Sequence, residues 1–137
     1  MSDREERLMA TYDADGEKRL TELLRRNPRY PREVYEFVSE ALAHTARLFD
    51  REGHVTGAEL CEGARAWALE QFGFMARRVL ESWNVRSTSD FGRIVFAMID
   101  AELLRKTETD SIEDFSDVYD FREAFDEAFR IDLKPQR

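Results

Sequence analysis

The sequence predicts a mainly α fold: a single compact helical domain of five or six helices with one small β-hairpin near its C-terminal end. Three observations carry this. Apolar residues recur at helical spacing between start signals at Pro31, Thr56 and Ser87/Thr88. Six consecutive apolar residues, Ile94 to Ile99, leave the last of these helices almost no wet face and place it in a core. Beyond it come an apolar run, an acidic turn and an aromatic return segment, the order of a hairpin formed by Leu103–Thr107 and Val118–Phe121.

Each element has its own local justification. Glu17 to Asn27 puts Leu20, Leu23 and Leu24 on one side of a short helix, which Asn27-Pro28 ends because a residue before proline is pushed out of the helical region. Pro31 opens a second helix with Val34, Val38, Ala41, Leu42, Thr45 and Phe49 at helical spacing, running to about Asp50. Residues 51–55 connect, with a short strand at His54 and Val55. Thr56 and Glu59 have capping-box spacing, Leu60, Ala64, Trp67 and Ala68 form the stripe of a third helix, and Gly73 can close it in a left-handed conformation. A fourth helix, Phe74 to Trp83, places Met75, Val79 and Trp83 together, and Asn84 follows where a left-handed cap is wanted. The fifth helix carries Asp90 in its first turn, well placed against the helix dipole. A helical turn is expected at Ile112–Phe115 between the hairpin arms, and Phe121, Phe125 and Phe129 repeat at i, i+4, i+8 as a stripe that needs an apolar partner in this chain or another. Trp67, Trp83, Phe91, Ile94, Val95, Met98 and Leu103 are the expected core.

With 137 residues, 42% apolar and 12% aromatic, the chain suits one domain: residues 15–131, between a flexible N-terminus (1–14) and a tail (132–137). The net charge of −8 disfavours nonspecific contact with nucleic acid or anionic membranes. Most of the excess is local, since residues 101–137 carry 6 basic and 11 acidic groups. One cysteine, Cys61, excludes an intramolecular disulfide, and no stretch has the apolar length of a membrane span, so a cytoplasmic protein without membrane association is expected.

Catalytic and cofactor signals are sparse. No GxGxxG, P-loop, H-E-x-x-H or EF-hand pattern occurs, so no cofactor is expected. His44, four residues after Glu40, suits an ordinary helical pair, and Cys61 sits near an apolar stripe as a small hydrophobe. A ligand, metal or catalytic site would centre on His54, with Trp83 and Asp90 as neighbours. The order of elements is also winged-helix-like, but the recognition helix would be apolar and the wing would carry Glu108, Asp110, Glu113, Asp114, Asp117 and Asp120, which repel phosphates. Nucleic acid is therefore an unlikely partner. The acidic, aromatic C-terminal third points instead to a non-enzymatic interaction or oligomerisation module that meets a protein partner, or a second copy, through Glu113, Asp114, Asp117, Phe121, Phe125 and Phe129.

The motifs HVTGAEL (54–60), QFGFMARRVLESW (71–83), TSDFGRIVFAMI (88–99), LLRKTETDSIEDF (103–115) and YDFREAF (119–125) resemble those of a family of short bacterial proteins known by a locus-tag name and without an assigned function. The resemblance covers residues 28–126 and implies a cytoplasmic globular protein with no active residues to carry over. Where that family has Pro and Gly, this chain has Phe74 and Asn84.

Overall fold

The computed structural model describes residues 14–49, 55–104 and 111–127. Among these are five α-helices: α1 (Ala14–Arg26), α2 (Arg32–Leu48), α3 (Gly57–Phe72), α4 (Ala76–Ser82) and α5 (Thr88–Asp100). Turns of 3-10 helix occupy Gly73–Met75 and Ile112–Phe115, and a π-helical segment covers Arg122–Glu127. The mainly helical expectation holds, including the turn at Ile112–Phe115.

Local chemistry sets the ends. At α3, the Glu59 N–H donates to Thr56 Oγ1 at 3.1 Å while the Thr56 N–H donates to Glu59 Oε1 at 2.9 Å, so two otherwise orphaned donors are satisfied reciprocally. Pro31 stands as the N-cap of α2 rather than as its first residue. Gly73 ends α3 at φ 54° and ψ −132°, a positive-φ conformation suited to glycine but not the left-handed helical cap expected there, while Asn84 follows α4 at φ 69°.

The expected hairpin does not form: no β-strand occurs among the described residues. Its backbone groups are used elsewhere. The Leu103 N–H donates to Met98 O at 2.8 Å and the Glu102 N–H to Ile99 O at 3.0 Å, closing α5 through a left-handed Glu102 (φ 61°). Val118 gives its N–H to Thr88 Oγ1 at 3.2 Å, and the chain becomes helical at Phe121. Groups already bonded to a helix cap and a side chain cannot form a ladder. Residues 105–107 of the first expected arm lie outside the described residues. Among the described residues there is no strand from which a wing could be built, so the winged-helix arrangement finds no support there. Val55, expected in a short strand, is irregular, and His54 lies outside the described residues.

Helices α2 and α3 run antiparallel, with Phe37 against Phe72 at one end and Thr45 against Gly63 towards the other. A Cβ at Gly63 would lie 1.7 Å from Thr45 Oγ1 and 3.0 Å from Thr45 Cα, so this pair approaches as closely as it does only because residue 63 is glycine. Helix α5 packs against both, and the segment from Ser111 onward lies across α5, α3 and α4. One core joins Leu20, Tyr30, Val34, Leu60, Leu80, Phe91, Ile94, Met98 and Phe125. Of the expected core, Phe91, Ile94, Val95, Met98 and Leu103 are buried, whereas Trp67 and Trp83 are half-buried. Trp83 forms an aromatic triad with Phe37 and Phe72, with ring centroids 5.9 and 5.8 Å away.

Candidate functional site

The acidic segment is seated on a notch made from two glycines. Phe115 closes the 3-10 turn and is only 4% exposed. A Cβ at Gly92, on α5, would lie 2.9 Å from both Cβ and Cγ of Phe115; a Cβ at Gly57, in the first turn of α3, would lie 2.9 Å from Asp114 Cβ and 3.1 Å from Phe115 Cε2. Only hydrogen atoms at positions 57 and 92 let the ring come so near, and Phe96 meets its edge at 6.5 Å. Three of the sequence motifs thus converge at one point: Gly57 from HVTGAEL, Gly92 from TSDFGRIVFAMI and Phe115 from LLRKTETDSIEDF.

Further anchors follow along the segment. The Tyr119 hydroxyl donates to Cys61 O at 2.6 Å, and burial holds that phenol un-ionised far above its ordinary range. Phe121 lies 6.0 Å from Phe91 and 5.0 Å from Phe125 between ring centroids. Arg77 of α4 binds Asp126 through Nη2 at 2.7 Å and Nε at 2.8 Å, and reaches Glu81 at 3.1 Å, tying the π-helical segment to α4.

The structure divides the predicted site residues into two groups. Glu113, Asp114 and Asp117 are exposed, as are Asp120, Glu123 and Glu127. Phe121 and Phe125 are buried at 5% and 1% exposure, so they support the segment from beneath and offer no ring to a partner. Phe129 lies outside the described residues. Several carboxylates have local work: Asp114 accepts from the Ser111 N–H at 3.2 Å, Asp120 from the Glu123 N–H at 3.2 Å, and Glu113 from the Ser111 hydroxyl, which with the nearby backbone N–H lowers its pKa. Asp117 occupies the left-handed region at φ 49°, which aspartate tolerates better than most residues.

Other candidates resolve into structural roles. Asp90, 3% exposed, accepts from the Arg86 and Ser87 N–H groups at 2.8 and 3.2 Å, from Arg93 at 2.9 Å and from the Tyr30 hydroxyl; Arg29 stands 3.7 Å away. Burial alone would raise this carboxyl; the Tyr30 hydroxyl, the two backbone donors and the Arg93 charge outweigh it and hold it below its ordinary range. Burial and the same bond push Tyr30 up to about 12. Sequence reasoning placed Asp90 at the helix start but missed Tyr30, sixty residues distant, because no local pattern links the two. Cys61 is fully buried, and burial with neighbouring Glu62 pushes its thiol up to about 12, the opposite of an activated nucleophile. The His44 ring lies tilted against Trp67 at 5.1 Å between centroids, and the buried Trp67 Nε1 has no hydrogen-bond partner among the described residues. Among the described residues, no three His, Cys, Asp or Glu side chains converge to hold a metal ion, and no helix is long and apolar enough to cross a membrane.

Comparison with known protein families, curated proteins and solved structures gave no match to this chain.

Proposed function

We propose that this protein is a non-enzymatic protein-interaction or oligomerisation module whose contact face is the acidic segment between Ser111 and Glu127. The observation that supports this reading is the division of labour within the segment. Phe115, Phe121, Ala124 and Phe125 face inward and fix it, while Glu113, Asp114, Asp117, Asp120, Glu123 and Glu127 face water on a scaffold already in place. A preformed charged face avoids much of the ordering cost of association and steers a partner of opposite charge. Ile112, 44% exposed at the start of the turn, adds an apolar contact. The partner that fits is a protein surface, of another chain or a second copy, combining basic groups with an apolar patch. Nucleic acid and anionic membranes carry the wrong sign.

The test compares the parent with a variant carrying Glu113→Lys, Asp117→Asn and Glu123→Lys. These changes spare the Ser111–Asp114 cap, the Asp120 cap and the left-handed tolerance at 117. Affinity capture from the source cells, with sedimentation of the purified chain, should give the parent a basic partner or a self-associated state that weakens with salt. The variant should lose it with a melting temperature within about 2 °C of the parent. Equal capture and equal sedimentation for both proteins would overturn the reading.

A further inference from the structure

The connection between α3 and α4 is apolar where a surface turn is ordinarily polar. Gly73 turns the chain out of α3, and no residue of the 3-10 turn Gly73–Met75 is buried. Phe74 is 71% exposed, the most exposed large apolar side chain among the described residues, and Met75 is 38% exposed. Met75, Val79 and Trp83 follow at four-residue steps along one side of α4, from one cap to the other, with Val79 and Trp83 half-buried. Trp83 meets the half-buried Phe72 ring edge-on at 5.8 Å, and both rings rest against the buried Phe37. The result is one continuous apolar patch headed by an exposed phenylalanine. Single apolar side chains on a surface need no explanation, but a contiguous set with aromatic rings marks an interaction site.

The charge around the patch distinguishes between occupants. Glu33 lies four residues before Phe37 and Glu40 three after it, hence on its side of α2, and both are exposed. Arg77 is neutralised by Asp126 at 2.7 Å and Glu81 at 3.1 Å, and the bridge to Asp126 brings the end of the acidic segment, with exposed Glu123 and Glu127, against α4. These carboxylates outweigh the exposed cations Arg78 and Arg122 of the same two elements. The rim is therefore negative, and it repels a second copy of a chain whose net charge is −8. An apolar stripe at four-residue steps packs well against another helix, whose own stripe has the same period. Phenylalanine offers such a partner a large rigid area, and methionine adapts its shape to it.

We infer that this patch docks a basic amphipathic helix of another protein, with its apolar stripe on Phe74, Met75, Val79 and Trp83 and its lysines or arginines towards Glu33, Glu40, Glu123 and Glu127. The inference rests on the acidic-face reading, whose basic partner it supplies with an apolar anchor.

The probe is an N-acetylated leucine–lysine peptide of about four helical turns, with leucine at i, i+3, i+4 and i+7 spacing and lysine elsewhere, titrated into the full chain and followed by amide NMR. Saturable shifts are expected from Phe72 to Trp83. A peptide of the same composition, scrambled so that no leucine stripe forms, should bind about tenfold or more weakly, because it keeps the charge and loses the apolar face. Phe74→Ser should weaken the striped peptide by about tenfold or more, and Met75→Ser severalfold. Both variants should melt within about 2 °C of the parent, since the side chains they remove are exposed. The Glu113→Lys, Asp117→Asn, Glu123→Lys variant should also bind the peptide more weakly. Absence of saturable shifts, unchanged affinity in Phe74→Ser, or equal affinity for striped and scrambled peptides would overturn the inference. If Phe74→Ser binds as the parent does and only the triple variant loses the peptide, charge carries the contact, and the acidic-face reading stands without this patch. Sedimentation of the chain alone as a dimer that Phe74→Ser disperses would also overturn the inference, because the patch would then belong to a second copy.

Discussion

A methyl group placed at position 92 measures how the acidic segment is held. In the parent, the new Cβ of Gly92→Ala would meet Phe115 Cβ and Cγ at 2.9 Å and Cδ2 at 3.0 Å, so the ring or the helix must move. Overpacking of this kind costs about 1–3 kcal/mol, and the helix propensity gained by alanine over glycine returns about 1 kcal/mol. The expected net loss is therefore up to about 2 kcal/mol. Phe115→Ala removes a ring that is 4% exposed and should cost about 3–5 kcal/mol. In the Phe115→Ala background two of the three close contacts vanish, and the turn, no longer wedged by its ring, can retreat from the remaining Cβ. Gly92→Ala should then become stabilising by about 0.5–1 kcal/mol. The coupling between the two sites is therefore about 0.5–3 kcal/mol, where simple additivity predicts none. Urea unfolding of the four proteins at pH 7 measures it. Additivity within about 0.5 kcal/mol would show that Phe115 does not sit on Gly92.

Three further outcomes are expected. Glu102→Gly should stabilise the chain by about 1 kcal/mol, since it relieves a left-handed glutamate and an anion at a helix C-terminus; denaturant midpoints check this. Asp90→Asn should cost about 1–3 kcal/mol at pH 7. Because the folded carboxyl is held below its unfolded value of about 3.9, its contribution is complete above about pH 4 and disappears as pH falls through the folded value, so acid titration of stability should be flatter for the variant there. Tyr30, Tyr35 and Tyr119, all raised mainly by burial, should remain un-ionised in the folded chain as pH passes about 10, where unfolded tyrosines titrate. Their contribution to stability is present below that value and is lost as pH rises further, towards about 12 for Tyr30, which ultraviolet titration with and without urea resolves.

What could be read from the sequence was what local chemistry decides. Thr56 with Glu59, Asn84 and the turn at Ile112–Phe115 each carry their signal within a few residues, and each stands where expected; Gly73 ends its helix as expected but at ψ −132°. The hairpin misled because its alternatives are not local in pattern: a glutamate at a left-handed cap gives no warning, and the acceptor of the Val118 N–H is Thr88, thirty residues back. The stripe of Phe121 and Phe125 was visible as a periodicity that needed a partner. Its being met from within by Phe91 and Tyr119 depends on how the segment crosses α5 and α3, which no spacing encodes. The same holds for the glycine notch, built from three separate motifs. The exposed carboxylates at 113, 114 and 117 were legible as charge; their fixation by inward-facing rings was not.

The acidic segment is an integral part of the folded body, anchored by the buried rings of Phe115, Phe121 and Phe125. Native-state hydrogen exchange tests this most directly at the N–H groups of Ser116, Val118 and Ala124, bonded respectively to Glu113 O, Thr88 Oγ1 and Asp120 O. If the segment is locked through Phe115, Phe121 and Phe125, the buried-side amides of Val118 and Ala124 should exchange with free energies close to those of α5, at or near the global value. Exchange of these amides through a local opening well below that of α5, leaving the helical core protected, would contradict the account.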